Sequence, residues 1–208
     1  MRESLIVVSF FALGALIGWS GVLSQSAIDG DYIMYALYFL MFQVGLNLGS
    51  DKKLKSILAA VSPRMLLIPL ATIGGTLGFS ALIGLFLSRW SVFDCMAVGS
   101  GFGYYSLSSI LITQYKEATL GVQLATELGT IALLTNVFRE MFTLLGAPLL
   151  VKYFGRLAPI CTAGVTSIDV SLPVITRYSG KDLISISVIH GILVDLTVPF
   201  FVSFFCSM

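Results

Sequence analysis

Residues 5–23 read LIVVSFFALGALIGWSGVL, an uncharged run about as long as the ~20 residues a helix needs to cross a hydrocarbon core. Apolar runs of similar length recur at residues 32–48, 65–87, 93–113, 128–150, 157–176 and 184–205, the 157–176 run being broken by Gly164, Asp169 and Pro173. A soluble fold has no core large enough to hide so many such runs, so lipid must cover them. Composition agrees. The chain is 57% hydrophobic and 11% charged, whereas soluble domains carry about 25% charged residues. The prediction is an all-α polytopic membrane protein, a helix bundle of about 6–7 transmembrane segments with at least one broken or re-entrant helix. Residues 1–208 read as a single transmembrane domain.

Charge excludes other classes. Twelve Lys and Arg against eleven Asp and Glu leave +1, with no basic stripe to neutralise phosphates, so no nucleic acid is expected. Cys95, Cys161 and Cys206 share no metal or redox spacing and read as small apolar packing residues. Neither metal nor cofactor is expected. The segment between the second and third runs holds Lys52, Lys53, Lys55 and Arg64, while residues 24–31 hold Asp29 and Asp31 and no cation. The positive-inside rule then puts the N-terminus in the cytoplasm. A cleaved signal peptide competes for the first run, since Arg2 precedes it and SQSA follows it; Glu3 and the length of the run favour a retained span. Gly14, Gly18 and Gly21, and later Gly74, Gly75, Gly78 and Gly84, give small-residue faces for close helix contact.

Polarity gathers in the C-terminal half. In TNVFREMFT, Thr135 to Thr143, Arg139 and Glu140 fall at the middle of an apolar run, where each ionised group costs roughly 2.5–3.5 kcal/mol on insertion scales. Such groups face a bundle interior or an aqueous cavity. Asn136, Glu140 and Thr143 share one helical face, while Arg139 points about 100° from Glu140, so the adjacent pair is not assumed to be bonded. The plainer reading is that neighbouring helices satisfy both charges only to hold the bundle together.

AGVTSIDVSLPVI, Ala163 to Ile175, sets Asp169 among Thr166, Ser167 and Ser171, with Gly164 before and Pro173 after. That is how a helix interrupted at membrane depth is written, its free ends suited to a zwitterion. An extramembrane loop capped by Asp169 is the alternative. GSGFGYYSLSS, Gly99 to Ser109, is too rich in glycine and hydroxyls for a lipid-facing helix. Its Gly101, Gly103, Tyr104, Tyr105 and Ser106 read as a cavity wall, with the two tyrosines available for cation–π contact or for anchoring at an interface.

GSGFGYYSLSSILI, NVFREM, CTAGVTSIDVSLPVI and VIHGILVDLTVPF, in this order, resemble the motifs of the bacterial lysine exporter family (LysO/YbjE-like). The resemblance implies export of L-lysine, or of related basic amino acids, across the bacterial cytoplasmic (inner) membrane, with Glu140 and Asp169 as the essential acids. Typical members are longer, with about three further helices ahead of this part. A split exporter is therefore implied, its missing N-terminal helices supplied by a separate small membrane protein, and this chain as a non-transporting or auxiliary subunit is the alternative. Members end outside, which with a cytoplasmic N-terminus needs an odd number of crossings. Thr135 and Asn136 stand where the family pattern has Asn-Asp, Tyr104 where it has Trp, and Ser109 where it has Gly. These departures bear on substrate identity more than on fold.

Charge suggests a mechanism. Arg139, Glu140 and Asp169 sum to a net negative charge that one further cation would balance, and the lysine ammonium supplies it. The carboxylates would bind substrate facing inward and accept external protons to release it outward, with Asn136, Thr166 and Ser167 beside them. His190 is the only histidine; it either hydrogen-bonds a neighbouring helix or relays protons. Asp195 is a further cavity candidate about 140° round the helix from it. Gln43 and Asn47 could line an entry path, and Lys116, Glu117 and Glu127, in the connection 114–127, read as solvated. No Gly-x-Gly-Asp, His-Glu-x-x-His or Gly-x-Ser-x-Gly occurs, so no enzyme is expected.

Overall fold

The computed structural model describes residues 63–208 and, ahead of them, the single positions Leu13, Leu16, Ile17, Ser20, Tyr35, Phe39, Phe42 and Leu46. Apart from those positions, the first two runs, Gln43 and Asn47 included, lie outside the described residues. The chain divides into two compact units, Met1–Leu54 and Lys55–Met208, and the second is described here.

Residues 63–208 hold seven α-helices: α1 (Pro63–Phe86), α2 (Val92–Gly99), α3 (Tyr105–Leu120), α4 (Val122–Phe154), α5 (Ala158–Ala163), α6 (Leu172–Ser179) and α7 (Ile184–Cys206). A 3-10 turn, Gly164–Ile168, follows α5, and another, Lys181–Leu183, leads into α7. Segments within α1, within α4 and around α7 are long and apolar enough to cross a membrane. Lipid is the solvent of their outer faces: Phe79 of α1, Leu145 of α4 and Phe200 of α7 are all exposed.

Between these long helices the chain turns back on itself twice. Ser91 starts α2 with a reciprocal cap, its Oγ accepting from the Asp94 amide while its own amide donates to the Asp94 carboxylate, each at 3.0 Å. The helix then lasts only eight residues before Ser100–Tyr104 break it. The Lys116 ammonium of α3 meets the Asp94 carboxylate at 2.8 Å, although a continuous helix would hold those residues about 33 Å apart. Residues 92–120 are therefore a hairpin, here hairpin A, that enters and leaves on one side. Its partner, hairpin B, is residues 158–179. Arg156, just before it, donates from Nε to the Ser179 carbonyl at 2.6 Å and pairs with Asp182, which fixes its return.

Several expectations change here. Residues 93–113, read as one span, form two helices, and residues 157–176 form a broken segment whose two ends come back together. Two returning segments leave the parity of crossings unchanged. The connection expected at 114–127 is instead a one-residue corner: α3 runs to Leu120, Gly121 turns at φ 79°, and α4 begins at Val122. Lys116 is not solvated but buried on Asp94, because α2 folds back against the helix that carries it. Glu127 does sit at the surface, paired with Arg89. Gly84 packs on Val92 and Cys95, while a Cβ added at Gly74, Gly75 or Gly78 would meet no other element within 4 Å among the described residues.

Candidate functional site

The tips of the two hairpins meet inside the protein, and glycine makes the meeting possible. The Val165 amide of hairpin B donates to the Phe102 carbonyl of hairpin A at 2.9 Å. Gly164 has φ 62° and a Cβ there would overlap the Phe102 carbonyl oxygen; Gly103 has φ 99° and a Cβ there would press on the Ala163 carbonyl. A side chain on either would push the two tips apart. Gly101 lies equally close to Asn136 and Ser108, and Gly99 to Ser80. The glycine-rich stretch is the inner turn of a hairpin, packed on three sides.

The polar stripe of α4 braces this crossing. Asn136 is 2% exposed; its Oδ1 accepts from the Gly103 amide at 2.7 Å and its Nδ2 donates to the Ala132 carbonyl at 2.8 Å. One turn on, Arg139 donates from Nε to the Thr162 carbonyl at 2.8 Å and from Nη2 to the Cys161 carbonyl at 3.0 Å. A helix stopped at membrane depth leaves its last carbonyls without partners, and five fixed donors are suited to cap them. Arg139 also reaches Thr76 of α1 and stacks over Phe102, 6.0 Å from the ring centre.

Thr166, Ser167 and His190 are likewise engaged. The Thr166 hydroxyl donates to the Ala163 carbonyl at 3.1 Å and bonds Ser171 at 2.9 Å. Ser167 donates to the Gly164 carbonyl at 2.7 Å and contacts His190 Nδ1 at 3.2 Å. The other ring nitrogen of His190 meets Thr72 of α1 at 2.9 Å, so this histidine ties α1 and α7 to the tip of hairpin B. The Ser171 and Leu172 amides are taken by the Thr166 and Asp169 carbonyls, and Pro173 has no N–H. The broken ends of hairpin B are thus largely satisfied from within the protein.

The acids stand differently. Glu140 is partly buried, and its Oε2 has no hydrogen-bond partner among the described residues, which is costly unless a ligand or proton satisfies it. Asp169 sits exposed at the tip of hairpin B, close enough to interact electrostatically with both Glu140 and Asp195. Tyr104, beside Gly103 at the tip of hairpin A, is in electrostatic range of Asp169 and Asp195. Tyr105 and Ser106 are exposed at the start of α3, a helix with no side-chain cap at its N-terminus. The expected site residues thus fall into two sets, one bracing the crossing and the other leaving its acids and a phenol open beside it. The buried Asp94–Lys116 pair was missed; Ser91-x-x-Asp94 opening an eight-residue helix was its only sequence signal.

A sequence profile of the family described as lysine exporter LysO matches residues 8–206. Lysine exporter LysO of Escherichia coli is 30% identical over 205 residues, covering 98% of this chain and 64% of its own length. A candidate lysine exporter of Haemophilus influenzae is 29% identical over 206 residues, with 97% of each chain covered. The chain thus spans less than two thirds of the first relative and nearly all of the second. No solved structure matches it.

Proposed function

The chain belongs to the lysine exporter family, and from that premise we propose that it exports L-lysine from the cytoplasm across the inner membrane by proton antiport. The observation that carries the site assignment is the unpartnered, buried oxygen of Glu140, in electrostatic range of Asp169. Lysine offers ammonium groups at both ends of a flexible chain, and these two carboxylates receive them. Its own carboxylate is complemented by the uncapped N-terminus of α3 at the crossing. Tyr104 adds a π face for a bound ammonium. Asn136, Arg139, Thr166, Ser167 and His190 act by holding the two tips in register.

Sidedness follows from charge. Lys152, Arg156, Arg177 and Lys181 gather where α4 ends and hairpin B begins, the same end as Arg64 at the start of α1. That end is cytoplasmic by the positive-inside rule. Hairpin B then faces the cytoplasm, hairpin A the exterior, and α7 ends outside.

Efflux of radiolabelled lysine from proteoliposomes tests the site. Glu140→Gln and Asp169→Asn should each abolish efflux, at least about a hundredfold, while the protein still inserts and purifies as a single species. Normal efflux in both variants would sink the mechanism. The Escherichia coli relative carries further sequence beyond the matched segment, which favours a second reading in which a separate small membrane protein completes the exporter. Activity only after that protein is added would establish it.

A further inference from the structure

The open set of groups contains more acid than lysine needs. Two ammonium groups occupy Glu140 and Asp169, yet a third carboxylate, Asp195, lies in range of Asp169 and of Tyr104. Its position follows from α7. His190 is bonded to Ser167 at the tip of hairpin B, and Gly191 lies so near that tip that a Cβ would overlap Ile168. Asp195 is four residues beyond Gly191, one turn along the same face, and partly buried. The groups in electrostatic range of it are Asp169 from hairpin B and Tyr104 from hairpin A. Arg139 spends its guanidinium on the Cys161 and Thr162 carbonyls, and both His190 nitrogens are bonded. Among the described residues, nothing at the site offers Asp195 a bound cation.

We infer that Asp195 is the proton-carrying group of the exchange, distinct from the pair that holds the substrate; the inference rests on the export reading above. In the empty site the proton sits on the Asp195 carboxylate, partly buried and in range of Asp169. Lysine arriving from the cytoplasm seats an ammonium on Asp169, and that positive charge repels the proton, which leaves inward. On the outer side a proton returns to Asp195 as lysine departs. Lysine carries a single net positive charge, so one proton exchanged for one lysine leaves the charge of the site equal in both translocating forms, sparing a change in buried charge.

Two assays on the same proteoliposomes separate substrate binding from coupling. Lysine–lysine exchange needs no net proton movement, whereas uphill accumulation driven by an imposed pH gradient does. Asp195→Asn should keep exchange within about twofold of the unmodified protein while gradient-driven accumulation falls at least about tenfold and its pH dependence flattens. Asp195→Glu should restore part of the coupling. Loss of exchange in a well-folded Asp195→Asn protein would make Asp195 a substrate ligand and overturn the inference, as would gradient-driven accumulation that persists. Absence of exchange in the unmodified protein would instead defeat the export reading itself.

Discussion

Hairpin A is clasped at its base by Asp94 and Lys116, with side chains only 7% and 8% exposed, whereas hairpin B is clasped by Arg156 and Asp182, at 53% and 64%. The same device, an ion pair joining the two arms, is buried in one case and open in the other. Removing one partner of a buried pair strands a charge and costs about 3–5 kcal/mol, while an exposed pair contributes about 0–1 kcal/mol. Hairpin A is therefore the fixed wall of the proposed site. Hairpin B, which carries Asp169, is the one whose base can open cheaply, and on the proposed orientation it opens toward the cytoplasm.

The largest effect should come where the hairpins depend on each other. Gly164→Ala places a Cβ against the Phe102 carbonyl at a positive φ, and neither tip can retreat without breaking the Val165–Phe102 bond. The loss should exceed the roughly 4 kcal/mol that marks an exceptional substitution, read as failure to recover a monodisperse protein in detergent. Gly155→Ala is the control: its φ of 89° is also positive, but nothing lies within 4 Å, so only the backbone strain of about 1–3 kcal/mol remains. Equal damage from both would show that the meeting of the tips is not what the glycine serves.

Next comes the buried clasp. Lys116→Met should cost about 3–5 kcal/mol by leaving Asp94 charged and unpaired, and Asp94→Asn combined with it should recover most of that loss. Thermal unfolding followed in detergent measures both. A Lys116→Met protein as stable as the unmodified one would remove the asymmetry between the hairpins.

How much of this was legible depends on the scale of the signal. Glu140 and Asp169 stood out because an ionisable group inside an apolar run is expensive wherever the chain goes next. The break at Gly164 to Pro173 was visible for a similar local reason. The turning back of hairpin A was not, because residues 93–113 have the same hydropathy whether the segment crosses or returns, and Ser100–Tyr104 contain neither Pro nor charge. What reveals the turn is a contact between Asp94 and Lys116, far apart in sequence. Arg139 was readable as a buried charge but not as a helix cap, since its acceptors, the Cys161 and Thr162 carbonyls, are backbone atoms that carry no residue identity.

The smallest stability effect is also the one that speaks to mechanism. Arg156→Gln removes the exposed clasp of hairpin B, which contributes about 0–1 kcal/mol, and one charge-assisted bond to the Ser179 carbonyl; unfolding should shift by about 1–3 kcal/mol. If hairpin B is the moving element, lysine efflux should change in rate while its dependence on Glu140 and Asp169 persists, and Asp182→Asn should reproduce the change without adding to it. Each is measured as initial efflux at matched protein density. An Arg156→Gln protein destabilised as much as Lys116→Met would mean that both bases are locked, and opening would then have to come from the tips themselves.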